Sequence, residues 1–177
     1  YNKKNEVKMR VFNPIHTENL ILRPFLKDDL IDFYEFRKEE KIAEFQLWEP
    51  FSKQESEQFL EEYAGLNKIY SGRWNGIAIE LTESGKLIGD LAFRISDKEY
   101  TQGEIGFNIA PDHQNKGFAK EAINALLGFL FDEMNLHRVI AITDVRNVTA
   151  ASLLEKRGFR KEGHFIQNVW VKGRWGD

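Results

Sequence analysis

Glu104-Ile105-Gly106-Phe107-Asn108-Ile109-Ala110-Pro111, then Asp112-His113-Gln114-Asn115-Lys116-Gly117, then Phe118-Ala119-Lys120-Glu121-Ala122, is the stretch whose reading decides the fold. A strand-like run stops at Pro111, which has no N–H to give a ladder. Ala119 to Phe131 carries Ala122, Ile123, Leu126, Leu127 and Leu130 on one stripe, so a helix follows the polar turn. The turn thus delivers backbone N–H groups to a helix head, where they lack intrahelical partners and lie at the positive end of the macrodipole. An anion there gains a few tenths to about 1 kcal/mol from the dipole alone, and charge-assisted hydrogen bonds add to it. Gly117 lets a ligand approach the backbone, Ala119 keeps a side chain out of the way, and Lys116 and Lys120 supply charge. Spacing alone leaves two readings open: a diphosphate site, or a Gly-containing loop that caps a helix. The other phosphate loops do not compete, because neither G-x-x-x-x-G-K-[ST] nor G-x-G-x-x-G occurs.

Outward from this stretch the elements alternate in type. Residues 19–25 read as a strand ended by Pro24, and Asp28 and Asp29 start an amphipathic helix through Leu30, Phe33, Tyr34 and Phe36. Ser52-Lys53-Gln54-Glu55 is a capping box, with Phe59, Leu60, Tyr63 and Leu66 continuing a second helix. Strand-like runs at 74–82 and 86–95 are joined by Thr82-Glu83-Ser84-Gly85. After the central helix come a strand over 138–143, a helix over 148–157 stopped at Gly158, and a long last strand over 159–172. Lys172 to Asp177 looks like a hairpin turn with no return strand, as if the final strand were missing. No linker or repeat intervenes, so 1–177 reads as one domain with 1–14 as an N-terminal arm. The order predicts an α/β (α+β) fold: a mostly antiparallel mixed sheet, one parallel crossover and about four flanking helices.

Composition narrows the function. Lys plus Arg number 25 against 28 Asp plus Glu, a net charge of -3 that gives no reason to expect nucleic acid as a partner. The absence of cysteine removes disulfides, thiolate metal sites and a covalent Cys intermediate, and fits a cytoplasmic protein. No apolar run approaches ~20 residues, so no membrane partner is expected. Tyr1-Asn2-Lys3-Lys4 has no apolar stretch behind it and reads as a trimmed end rather than a signal peptide. His113 and His137 lack ligand spacing with any partner, so no metal is expected.

Gln114-x-x-Gly117-x-Ala119 after a strand and opening a helix resembles the acetyl-CoA motif of the GCN5-related N-acetyltransferase (GNAT) superfamily. The likeness covers nearly the whole chain. Thr17 to Pro24 resembles the opening strand of the branch that includes the ribosomal-protein N-terminal (RimJ/RimL-type) acetyltransferases. Glu104-Ile105-Gly106-Phe107, Lys116 to Ala122, Leu136-His137-Arg138-Val139 and Asn147 through Phe159 keep that branch's order and spacing. The resemblance implies a GNAT fold whose fourth and fifth strands, 104–110 and the one beginning near Arg138, splay apart to take the pantetheine of CoA. It implies pantetheine amides bonded to backbone around Phe107, Ile109 and Ala110. The pyrophosphate would then rest on the N–H groups of Gln114, Asn115, Lys116, Gly117, Phe118 and Ala119, with Lys120 one turn on. Asn147 would contact the pantetheine arm, cap the next helix, or do both; Lys156 would reach the adenosine phosphates or lie on a solvated face.

Two positions depart from the family pattern. Ala150 stands where relatives often have Ser, with Ser152 two residues on, and Leu154 stands where many members carry a thiolate-protonating Tyr. The general acid is therefore unassigned. The expected reaction is direct attack of a primary amine, either a protein N-terminus or a small molecule, on the thioester of acetyl-CoA. A Lys-like amine costs about 4–5 kcal/mol to deprotonate at pH 7 and an α-amine about 1. Glu104 is the candidate base, through a water, and Trp48, Phe51, Trp74 and Trp170 are candidates to line the acceptor site. The alternative is a CoA-binding module without activity. A monomer or homodimer fits either.

Overall fold

Six strands form one sheet in the computed structural model, which describes residues 10–96 and 101–177. They are β1 (Ile15–His16), β2 (Leu20–Arg23), β3 (Trp74–Leu81), β4 (Leu87–Ile95), β5 (Gln102–Ile109) and β6 (Arg138–Ile140), neighbours in that order. β1 to β5 pair antiparallel and β5 with β6 parallel, so the expected mixed sheet with one crossover is present. The two-residue β1 was not foreseen; it makes the splaying pair the fifth and sixth strands. The first nine residues of the expected arm lie outside the described residues. Phe12, further along it, is buried and packs edge-on against Phe129 at 5.0 Å, so that part belongs to the core.

Helices cover both faces, because side chains alternate along each strand. Leu20, Leu22, Ile77, Ile79, Leu91, Phe93, Ile105 and Ile109 pack with Ala122, Ile123 and Leu126 of the helix α4 (Phe118–Gly128). Phe25, Ala78 and Leu87 face Phe33, Phe36 and Leu60, from α1 (Leu30–Arg37) and α3 (Lys53–Tyr63). The capping box is formed: Ser52 Oγ accepts from Glu55 N at 3.2 Å, and Glu55 Oε2 accepts from Ser52 N at 2.7 Å. A short α2 (Glu40–Ala43) escaped the sequence reading, since one turn carries no period to detect. α4 loosens after Gly128 into a π turn, Phe129–Glu133.

Two expected strands are corrected. The run 138–143 pairs only through Ile140. The long strand over 159–172 is instead an irregular, exposed segment ending in β7 (Val169–Val171). Its alternating apolar residues include Phe165, which is exposed; without a sheet neighbour, alternation alone does not make a strand. Lys172 and Gly173 do form the predicted turn, both at positive φ (50° and 74°), as a two-residue hairpin requires. A short return strand, β8 (Arg174–Gly176), pairs with β7.

Candidate active site

β5 and β6 are in register at Gln102 with Arg138, Gly103 with Val139, and Glu104 with Ile140, and no further. β5 continues to Ile109, so beyond Glu104 a gap opens along its free side. Which backbone groups face the gap follows from the ladder on the other side. Ala110 N donates to Ile88 O at 2.7 Å and Ser96 N to Gln102 O at 2.9 Å, so even-numbered residues of β5 bond β4. Ile105, Phe107 and Ile109 therefore turn their backbone groups into the gap. That close pairing also depends on Gly89, where a Cβ would lie 2.2 Å from Asn108 O.

At the end of the gap the chain makes the turn read from the sequence. Asn115 (φ 59°) and Gly117 (φ 89°) flank Lys116, and a left-handed backbone of this kind can gather successive N–H groups around an anion. Among the described residues, Asn115, Lys116 and Gly117 N–H make no backbone hydrogen bond, and Gly117 precedes α4 with no side chain capping the helix. Glu18, Lys116, Gly117, Lys120, Glu121 and Asn124 line a recess beside it. His113 is held below its ordinary pKa, first by burial and then by Lys116 and Lys86, so its imidazole is neutral at pH 7 and adds no charge to the turn.

The hydrogen bonding bears on three expected contacts. Ala110 has its N–H on Ile88, and its carbonyl accepts from His113 N at 2.8 Å, so its N–H is not left for a pantetheine carbonyl. Gln114 N closes on Pro111 O and its Nε2 donates to Ile109 O at 2.9 Å, so Gln114 braces the turn from within. Asn147 is the N-cap of α5 (Val148–Lys156), its Oδ1 accepting from Ala150 N at 3.1 Å, which is one of the two roles expected for it. Leu154 is buried and Lys156 lies on the exposed face of α5.

The turn is tied to the far side of the sheet. Glu121 Oε1 accepts from Thr17 Oγ1 (2.6 Å) and Asn19 N (2.7 Å), and Oε2 from Asn19 Nδ2 (3.0 Å). Burial alone would raise the Glu121 carboxyl, but the bonds from Thr17 and Asn19 outweigh it and hold it below the usual range. A depressed folded value gives stability that is present above the unfolded value of about 4.3 and lost as pH falls through the lower one. Thermal denaturation between pH 7 and pH 3 is expected to show that loss. Glu121→Ala should lower the melting temperature at pH 7 and flatten the acid limb.

On the even face of β5 the side chains are Glu104, Gly106 and Asn108. A Cβ at Gly106 would meet nothing within 4 Å, so the face is open there between its two polar neighbours. Glu104 Oε2 accepts from Arg94 at 2.6 Å, and the Arg94 guanidinium lies 5.2 Å from the Trp74 ring, so Trp74, Arg94 and Glu104 form one row across β3, β4 and β5. Trp48 is 4.2 Å from the Arg37 guanidinium and edge-on to Phe51 at 5.4 Å, which makes both rings part of the α1–α3 wall. Trp170 is exposed on β7, edge-on to Trp175, while Lys172 anchors that hairpin by donating to Ala43 O at 2.7 Å.

Sequence reasoning missed Arg37 and Asp90. Both are buried: Arg37 Nε donates to Asp90 Oδ2 at 3.0 Å, and Asp90 Oδ1 accepts from Asn108 Nδ2 at 2.8 Å. Asn108 Oδ1 accepts from Gln46 Nε2 at 2.9 Å. An apolar face one helical turn wide around Arg37 was the only available signal.

Comparison with known proteins accords with this geometry. The family model described as an acetyltransferase (GNAT) domain matches residues 19–160. The chain is similar to the Bacillus subtilis N-acetyltransferase YnaD, 31% identical over 92% of each chain. An acetyltransferase (GNAT family) structure from Bacillus anthracis superposes with a TM-score of 0.83 at 27% identity, covering 93% of each chain. The spermidine N-acetyltransferase from Vibrio cholerae, solved with CoA and spermine, superposes with a TM-score of 0.75 at 28% identity, over 91% of this chain and 92% of that one. The fold and the family match together define an acyltransferase that takes its acyl group from a CoA thioester. More particularly, the chain belongs to the GNAT family and is an acetyl-CoA-dependent N-acetyltransferase acting on a primary amine. Among the described residues no group of three or more His, Asp and Glu is placed to hold a metal, and no helix is long and apolar enough to cross a membrane.

Proposed function

We propose that the acceptor is a monoamine of modest pKa, such as a peptide α-amine, attacking at the opening over Gly106. The observation that carries this reading is the pairing of the nearby carboxylates. Glu104 is held by Arg94, Asp90 by Arg37, and on the β6 side Asp144 by Arg146, whose hydrogen bond is the chief cause of the lowered Asp144 carboxyl. A polycation would be drawn by unpaired acids, as repeated opposite charge is what holds several ammonium groups. The Vibrio cholerae relative is named for spermidine; here a less basic amine also needs several kcal/mol less to reach its neutral form.

In this reading the pyrophosphate of acetyl-CoA rests on the Asn115–Ala119 turn, with Lys116 and Lys120 beside it. The pantetheine lies along β5, bonded to Phe107 and Ile109 backbone, with Asn147 opposite and Lys156 toward the adenosine phosphates. Phe107 N–H, facing the gap, polarises the thioester carbonyl as it gains negative charge. The amine nitrogen bonds the carbonyl carbon, the C–S bond breaks, and the amine's proton leaves to Glu104 through a water. The thiolate takes a proton from water, since Leu154 and Ala150 have none to give. Trp74, two strands from Glu104 across Arg94, borders the opening, with Trp48 and Trp170 on its outer rim.

The test is thiol release from acetyl-CoA with an Ala-terminated peptide and with spermidine. A kcat/KM at least about tenfold higher for the peptide is expected, given the ~2-unit pKa difference between the amines; preference for spermidine overturns the reading. Glu104→Gln should lower kcat/KM for the peptide about 10²-fold or more and remove one ionisation from its pH profile. An unchanged profile removes Glu104 from the role.

A further inference from the structure

Asn108 stands at the edge of the opening with its amide orientation decided by the residues behind it. Asp90 Oδ2 is taken by the Arg37 guanidinium and its Oδ1 faces Asn108, where a carboxylate oxygen accepts a hydrogen bond. Asn108 must therefore turn its NH₂ toward Asp90 Oδ1, at 2.8 Å, and its carbonyl oxygen away. That outward oxygen accepts from Gln46 Nε2, a primary amide NH₂, at 2.9 Å. Gln46 is not part of a helix or strand; it follows α2, with its own N–H on Ala43 O.

We infer that Asn108 Oδ1 is the seat for an N–H of the acceptor amine, and that the Gln46 carboxamide holds this seat until the amine displaces it. The inference rests on the acceptor reading above and names its binding group. The adjoining position over Gly106 is open, and Asn108 and Glu104 lie two residues to either side of it, roughly 7 Å away along the strand. A neutral amine that gives one N–H to Asn108 keeps its lone pair free to meet a carbonyl carbon beside Phe107. The seat's neutrality matters as much as its place. A carboxylate here would favour the ammonium and raise the amine's pKa, working against attack. A carboxamide offers the same acceptor oxygen without that penalty, and the Asp90 charge behind it is balanced by Arg37. Sequence reading had no reason to choose Asn108, because the residue is defined by its partners on α1, β4 and the α2 loop.

Steady-state kinetics of the full chain with the Ala-terminated peptide and with benzylamine test this directly. Gln46→Ala empties the seat, and the amine KM is expected to fall about three- to tenfold, the worth of one neutral hydrogen bond, with the acetyl-CoA KM unmoved. Asn108→Leu should raise the amine KM about 10- to 100-fold, again leaving acetyl-CoA untouched. A merely structural bond would give Gln46→Ala a lower melting temperature and an unchanged or higher amine KM; that result overturns the inference even if Asn108→Leu fails to fold. If wild type acetylates both amines while the Gln46 and Asn108 variants keep its amine KM, only the seat is wrong. If wild type releases no thiol with either amine, the acceptor reading falls and the seat with it.

Discussion

Arg37→Leu is expected to cost about 3–5 kcal/mol of folding stability, against a total of about 5–15 for a domain. The guanidinium is buried, pairs with Asp90, and is ringed by Phe33, Phe36, Trp48, Phe51 and Phe59. Leucine fills much of the volume and satisfies the rings, so packing is not the issue. Asp90 is: it stays buried beneath the α1 layer with Asn108 as its only remaining hydrogen-bond donor among the described residues. The urea midpoint should shift strongly with little change in slope. Arg37→Leu combined with Asp90→Leu should recover part of the loss, because removing both charges ends the desolvation cost that removing one exposes. A double variant as unstable as the sum of the singles would mean that the two charges are not energetically coupled, and would overturn this account.

Gly117→Ala should weaken acetyl-CoA binding about 10- to 100-fold while destabilising the free protein by only about 1–2 kcal/mol. Gly117 has φ 89°, where an L-residue is strained whatever the space around it. A Cβ there would meet no protein atom within 4 Å, so the protein alone does not forbid it. In our reading that empty space is where the pyrophosphate lies, so the methyl group and the shifted N–H groups act on the ligand first. Isothermal titration with acetyl-CoA and a melting curve on the same variant separate the two effects. Equal Kd values in variant and wild type would detach the turn from cofactor binding.

Local features were legible in the sequence and long-range ones were not. The stripe Ala122–Leu130, the Ser52–Glu55 box, the Asn147 cap and the Lys172-Gly173 turn each depend on neighbours a few residues apart, and each forms. The gap between β5 and β6 came only from resemblance, since nothing in the residues 102–109 says where pairing stops. The run 159–172 misled because alternation shows what a strand could bury and not whether a partner is there. Arg37 on a helix reads like any solvated charge, and only folding brings Asp90 against it from 53 positions away. For the same reason Ala110 and Gln114 carried the right motif while their hydrogen bonds went to the protein's own backbone.

The Glu121 tether has a kinetic meaning. Thr17 and Asn19 meet it across 104 and 102 positions of chain, so fastening the turn before α4 closes a loop that holds β2 to β5. Closing a loop of that length forfeits chain entropy before any contact repays it, which places such an event late in folding. If the pyrophosphate rests on this turn, as we propose, affinity for acetyl-CoA is expected to report on the completeness of the fold rather than on the turn alone.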